Sequence, residues 1–384
     1  MPQAVKTSLK PGQGAWVEVR LDRLVSNLKL LKKTVSGKTG SVPQAMAVVK
    51  ANAYGHGLVE TARALSGEVH YLGVSSVYEV LELREHGIQS PVFLFGRFFG
   101  PETAAAVKSG AAMSVSGFEE AAEISEIAES LGQKTIVHIK VDTGMGRLGI
   151  PLAKAAPEIR KIAGLPGLYL EGIFTHFPSA ERADGFAEQQ VENFLGLVRE
   201  LEGWGIKFKF KHAANSAGNL RMNGAALAEF NLMRPGLILY GISPDASLQT
   251  AGFKPVLSLK TRIILAKKIQ AGESVGYGRS YTASRAVTIA TLPVGYSHGY
   301  PFHLSNKSQV IYQGKKYPLA GRVSMDYLTV DLQDADAKAG EEITLLGEEK
   351  NVSITAEDLA AWAGTIPYEI VTRLSSRLPR VYLS

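Results

Sequence analysis

Several short apolar runs in this 384-residue chain end on side chains that can move protons or hold anions. Lys50 follows AMAVV, Lys140 and Asp142 close IVHIKVD, and His176 ends LEGIFTH. Asn215 and Ser216 end FKFKHAANS, and Arg234 follows FNLM. Lysine, histidine, arginine and carboxylate on one rim are the parts of a general acid–base site. Lys50 is the strongest pointer. Residues 45–49 are apolar at every position, the mark of a strand buried on both faces. Its amine therefore emerges where the strand leaves the core. Desolvation and neighbouring cations lower a lysine pKa, freeing the amine to condense with a carbonyl or to take a proton. A lysine snorkelling from a strand end accounts for Lys50 taken alone. Five strand ends carrying such groups point to an enzyme.

The elements that must carry these groups follow from periodicity. In LDRLVSNLKLLKKTV, residues Leu21, Leu24, Val25, Leu28 and Leu31 recur on one helical face, with Lys32 and Lys33 where cations suit the dipole. Eight apolar runs then end near residues 50, 75, 96, 115, 142, 176, 216 and 236. Helical patterns such as VYEVLELREHG and FEEAAEISEIAESLG lie between them. That count and length predict an α/β fold, a (β/α)8 barrel over residues 11–250 after a tail of residues 1–10. A doubly wound open sheet is the alternative, weakened because no glycine-rich dinucleotide fingerprint follows the first strand. From residue 251 the runs LSLKTRIILAKKI, AVTIATLPVGY, SQVIYQG, YLTVDL and EEITLLG predict a mainly β domain over 251–384. Its one clear helix starts at Thr355, with Asp358 at the capping-box spacing. The early segment AWVEV is placed to add a strand to that domain.

Composition removes other classes. Forty-five per cent apolar and 20% charged residues exclude a disordered chain. The absence of cysteine excludes disulfides, thiolate metal sites and cysteine nucleophiles. The eight histidines include no His-x-His pair at a strand end, so no catalytic metal is expected. The net charge is +6, but Lys and Arg are scattered, so no nucleic-acid partner is expected. No run approaches the ~18 apolar residues of a membrane span, and the first residues lack a secretory apolar run, so a cytoplasmic protein is expected.

The segment AVVKANAYGHG (47–57) closely resembles the pyridoxal-phosphate attachment segment of alanine racemases. The resemblance runs along nearly the whole chain, in the family's order. It takes in VDTGMGRLGI (141–150), GIFTHF (172–177), HAANSA (212–217), MRPGLILYG (233–241), VGYGRSYTA (275–283), AGRVSMD (320–326) and TIPYE (365–369). The resemblance implies a homodimer that interconverts L- and D-alanine on pyridoxal 5'-phosphate and supplies D-alanine for peptidoglycan. It implies that Lys50 holds the cofactor and serves as one base, and that Tyr281 of the partner subunit serves the opposite face. A tyrosine with its ordinary pKa of about 10 needs a cationic setting for this work. The resemblance gives that task to His176 and Arg234. It sets Arg234 against the pyridine nitrogen, which would then stay unprotonated, shorten the carbanion's life and suppress transamination. Tyr54, Ser216 and Tyr368, with the backbone of Gly236 and Leu237, match phosphate ligands. Arg147 matches the group that engages the substrate carboxylate. Met325 and Tyr296 match partner-subunit residues that line a pocket sized for a methyl group. Lys140 matches a lysine that many members carry as a carbamate; an unmodified lysine paired with Asp142 is the other reading.

The chain departs from the family at Ser297 and His298, at Phe302 and Glu181 near the entrance, and at Phe95 and Ser324. These departures bear on access rather than chemistry. A racemase of broader substrate range shares the pattern. Barrel decarboxylases with the same cofactor generally donate a partner cysteine, which this chain lacks. A cofactor-binding barrel without activity would need neither Tyr281 nor a second domain.

Overall fold

The computed structural model of the protein describes residues 14–248 and 250–384, so the tail anticipated for residues 1–10 lies outside the described residues. Strand β1 (Ala15–Arg20) runs directly into helix α1 (Leu21–Thr39). The helix buries Leu24, Leu28, Leu31 and Val35, and it ends where Gly40 takes a left-handed φ of 73°.

The barrel strands follow: β2 (Gln44–Val48), β3 (Tyr71–Val74), β4 (Val92–Leu94), β5 (Ala112–Val115) and β6 (Thr135–Asp142). After the short β7 (Ile150–Pro151), which pairs only with β6, come β8 (Leu168–Phe174), β9 (Phe210–His212) and β10 (Leu232–Met233). The sheet order is β10-β2-β3-β4-β5-β6-β8-β9, with parallel pairing throughout. Two backbone bonds, Asn231 N–H to the Lys211 carbonyl and Arg234 N–H to the Ala214 carbonyl, draw β9 and β10 together and nearly close the ring. One apolar side chain from each of seven strands packs together in the interior: Met46, Tyr71, Phe93, Ala112, Phe174, Phe210 and Leu232. This is the predicted barrel, and the open sheet is set aside. The last strand is only two residues long because Pro235, without an N–H, cannot extend the ladder.

The remaining strands are β11 (Leu257–Arg262), β12 (Leu265–Ile269), β13 (Ser274–Val275), β14 (Tyr281–Thr282), β15 (Val287–Leu292) and β16 (Gln309–Tyr312). After them come β17 (Lys315–Pro318), β18 (Leu328–Asp331), β19 (Glu342–Glu349), β20 (Val352–Ile354) and β21 (Arg380–Leu383). One sheet runs β17-β16-β19-β11-β1-β21, so the first strand of the chain lies between two strands of the last third. A second sheet is β12-β15-β18, and β13 pairs with β14 as a ribbon. The helix Ala356–Ala363 carries the expected box, with the Thr355 hydroxyl and the Asp358 carboxylate each capping the other's N–H. A further helix, Pro367–Thr372, was not expected, although its proline stands at the first turn where proline is favoured. Among the described residues no helix is long and apolar enough to cross a membrane.

Candidate active site

Lys50 opens a turn whose next residues, Ala51, Asn52, Ala53 and Tyr54, all hold φ between 52° and 54°. Consecutive non-glycine residues in this left-handed region cost roughly 1–2 kcal/mol each, so the surroundings must impose the turn. The Asn52 N–H donates to Glu79 Oε1, and Asn52 Oδ1 accepts the Leu58 N–H at 2.8 Å. His56 is fully buried, and burial lowers its pKa to about 4, so its neutral ring donates from Nδ1 to the Ala53 and Tyr54 carbonyls, both at 3.0 Å. From β21, Arg380 donates to the Gly55 carbonyl at 3.0 Å. Gly55 itself, at φ 82°, lies so close to Val371 that a Cβ would stand 2.1 Å from its carbonyl oxygen. The lysine is thus held by both parts of the chain.

Tyr54 ends that turn and faces the loop after β10. Ser216 Oγ accepts the Gly236 N–H at 3.0 Å and the Ile238 N–H at 3.4 Å. A Cβ on Gly236 would stand 2.7 Å from Tyr54 Oη and 3.9 Å from Ser216 Oγ, so these groups bound one small space. The Tyr368 ring lies 6.0 Å from that of Tyr54. Burial raises both phenols and keeps them protonated. Hydroxyls and backbone amides facing one another form a cradle for an oxyanion. Leu237 is buried beside Gly236.

On the other side stands a group of cations. Burial, then Arg147, lowers the Lys50 pKa. Burial, then Arg147 and Arg234, pushes Lys140 down to about 8; its Nζ lies 5.9 Å over the Phe174 ring. The alternative pairing of Lys140 with Asp142 is not made. Asp142 accepts the N–H groups of Gly144, Met145 and Gly146 instead, all near 3.0 Å, and so shapes the loop that carries Arg147. His176 is held neutral by burial and by Arg234, Arg147, Lys140 and Lys50. Arg234 is buried; its Nη2 donates to the Thr175 and Ala213 carbonyls at 2.7 and 2.9 Å and reaches His176 Nδ1 at 3.3 Å. Burial lowers the guanidinium to about 9, which leaves it protonated at neutral pH. Four cations around a neutral imidazole make a pocket that favours anionic ligands.

Within the chain, Tyr281 belongs to a separate apolar cluster, and Tyr296 lines a cavity with Ala51, Asn52 and Gly55 beside the turn that Lys50 opens. Tyr281 packs beside Ile269, Ala283, Val287, Ile289 and Ala320, and its hydroxyl donates to Asp331 Oδ2 at 2.7 Å. Within the single chain, burial and that carboxylate raise the phenol to about 12. Tyr296, Phe302 and Met325 are exposed, and Ser297 Oγ donates to Asp326 at 2.8 Å.

The comparisons with known proteins bear on this arrangement. The profile of the alanine racemase N-terminal domain matches residues 19–244, and that of the alanine racemase C-terminal domain matches residues 256–382. The chain belongs to the alanine racemase family. Its relatives include alanine racemase 2 of Caldanaerobacter subterraneus, 37% identical over 96% of this chain and 94% of that one. The alanine racemase of Desulforamulus reducens is 38% identical over 96% and 98%. Among solved structures, the alanine racemase of D-cycloserine-producing Streptomyces lavendulae superposes with a TM-score of 0.90 at 33% identity over 98% of both chains. That of Clostridium difficile superposes with a TM-score of 0.89 at 34% identity over 97% of both.

Alanine racemases are pyridoxal-phosphate-dependent isomerases, and the residues present here fit that group: an amine for its carbonyl, a cradle of hydroxyls and backbone amides for its phosphate and an arginine deep in the barrel mouth. Several residues packed around the site went unremarked in the sequence. His138, His212 and Glu171 sit in the middle or at the end of inward strands, where apolar residues are the rule. Imidazole and carboxylate at those positions were the available signal. Asp331 offered none, because it ends an ordinary alternating strand.

Proposed function

We propose that this chain interconverts L- and D-alanine on pyridoxal 5'-phosphate, with Lys50 and the partner's Tyr281 serving opposite faces of the substrate. The observation that carries the reading is Lys50 at the head of a strained turn, between an oxyanion cradle and a cluster of cations. The bound cofactor supplies an electron-withdrawing ring that acidifies the hydrogen on the substrate's α-carbon. Tyr54, Ser216 and Tyr368 hold its phosphate together with the backbone of Gly236 and Leu237. Arg234 would meet the ring nitrogen, and because it keeps its own proton it would leave that nitrogen an acceptor. Arg147 engages the substrate carboxylate. Lys50, whose pKa burial and Arg147 lower, takes or returns a proton at one face of the α-carbon, and the partner's Tyr281 does so at the other.

A single group rarely serves both faces of one carbon, so the working unit is a homodimer in which each site borrows from the other chain. The exposed Met325 and Tyr296 are then covered and narrow the pocket to a methyl side chain. The barrel of residues 11–250 supplies the cofactor site, and residues 251–384 supply the partner's groups. We place the reaction in the cytoplasm, where D-alanine enters peptidoglycan synthesis. The test is to follow the optical rotation of L- and D-alanine with purified protein, with and without added cofactor, and to measure its mass in solution. Racemisation of both enantiomers by a dimer is expected. No loss of rotation with cofactor present refutes the proposal, and comparable rates on serine or lysine replace it with a racemase of broader range.

A further inference from the structure

Arg234 is a buried cation with no carboxylate against it among the described residues. Its partners are carbonyls and imidazoles: Thr175 O, Ala213 O, His176 and His212. A buried charge is stable only where it is compensated, so its counter-charge has to be sought further off. A continuous path leads to one. Arg234 Nη1 stands 2.6 Å from His212 Nδ1, His212 Nε2 stands 2.8 Å from His138 Nδ1, and His138 Nε2 stands 3.2 Å from Glu171 Oε2. All four residues are buried.

We propose that Glu171 is a positioning residue for the reaction, acting through His138 and His212 to fix the hydrogen-bonding direction and the charge balance of Arg234. The assignment of each proton follows from the two ends. Arginine can only donate, so His212 Nδ1 accepts and its Nε2 carries the hydrogen. His138 Nδ1 then accepts, and its Nε2–H donates to Glu171. Burial opposes the ionised carboxylate, but hydrogen bonds from His138, Tyr71 and Lys209 hold its pKa down to about 2. Burial likewise keeps both imidazoles neutral. Every bond therefore points from the cation to the anion, an arrangement in which successive bonds polarise one another.

The barrel is built to admit this path. His138 on β6 reaches His212 on β9 across the intervening β8, over Gly172, where a Cβ would stand 2.5 Å from the His138 ring. Only glycine leaves that passage open. Phe174 stacks on His212 with ring centroids 4.7 Å apart and 5° between planes, and Phe210 stacks on His138 at 6.0 Å. These rings exclude water along the path, so the ends feel one another more strongly than they would in solvent. The functional consequence rests on the reading of Arg234 as the group at the cofactor's ring nitrogen. A guanidinium whose other N–H is drawn toward an anionic relay holds its plane and donates more weakly to that nitrogen, which thereby stays unprotonated.

Neutron diffraction from deuterium-exchanged crystals of the holoenzyme tests the wiring without any variant. Deuterium on Nε2 of both His138 and His212, with none on either Nδ1 or on Glu171, is expected. Deuterium on either Nδ1 or on the carboxylate overturns the proposal. In solution, Glu171→Gln is expected to lower kcat about 10- to 100-fold, with KM for alanine changed less than about two-fold. Glu171→Asp recovers most of the loss, which a purely structural defect would not show. Wild-type kcat in the glutamine variant overturns the proposal. A wild-type enzyme that does not racemise alanine would refute the functional reading, yet the deuterium positions would still stand or fall by themselves.

Discussion

Tyr281 donates its phenolic hydrogen to Asp331 across β14 and β18 at 2.7 Å, and with burial that contact lifts the phenol's pKa to about 12. At neutral pH Tyr281 is therefore a phenol, suited to giving a proton before taking one. Replacing Asp331 with Asn removes the negative charge that opposes the phenolate. The phenol then ionises at lower pH, so the alkaline limb of kcat/KM is expected to shift downward. A pH–rate profile that keeps its alkaline limb in place in the variant would show that Asp331 does not govern Tyr281.

Tyr281→Phe removes the proton itself and should lower kcat/KM about 10²- to 10⁴-fold, the range for a general acid or base. Because the two alanines are enantiomers, kcat/KM must fall equally in both directions. The asymmetry appears instead in the isotope effects of α-deuterated L- and D-alanine. The enantiomer whose hydrogen Tyr281 removes should show the larger increase. Equal changes for both would assign that face to another group.

Lys50→Ala should reduce racemisation by at least about 10³-fold and abolish the visible absorbance of covalently held cofactor. The fold should survive, because the turn after Lys50 is held by Asn52, His56 and Arg380 rather than by the lysine. Turnover within about tenfold of wild type would remove Lys50 from the mechanism.

The barrel was legible because its strands are largely apolar runs alternating with helical patterns, and its chemistry because charged groups end those runs. Lys50, His176, Ser216 and Arg234 all follow that rule. What escaped notice depends on pairs that no periodicity relates. Tyr281 and Asp331 are 50 residues apart, and Arg380 meets Gly55 across 325. Glu171, His138 and His212 lie on three strands whose neighbours are set by barrel closure. A single strand reads them only as polar residues in an apolar row. The helix Pro367–Thr372 was missed for a simpler reason: six residues give too short a pattern to show a face.

Gly236→Ala should weaken cofactor binding and also lower the melting temperature. The backbone at Gly236 has a φ of −116° and a ψ of −101°, outside the regions open to residues with a Cβ, so alanine is strained there. Its methyl group would also stand 2.7 Å from Tyr54 Oη and displace that hydroxyl from the cradle. Loss of one hydrogen bond to a charged phosphate predicts a Kd for the cofactor raised about 10- to 100-fold, by fluorescence titration of the apo protein. An unchanged Kd would mean that the phosphate sits elsewhere.

Lys140 offers a test by stability. Burial and the neighbouring cations lower its pKa to about 8, against about 10.4 in an unfolded chain. Below pH 8 both states are protonated, and the folded state bears the whole cost, about 3 kcal/mol. Between pH 8 and about 10.4 the unfolded state binds more protons, so the cost fades as pH rises. Lys140→Met should therefore melt higher than the wild type at pH 7 in bicarbonate-free buffer, and this advantage should shrink toward pH 10. Bicarbonate should shrink it as well, because a carbamate at Nζ replaces a buried cation with an anion facing Arg147 and Arg234. A methionine variant that melts lower than wild type at pH 7 without bicarbonate would show that the bare ammonium is not under strain, and the physical reason for modifying it would be gone.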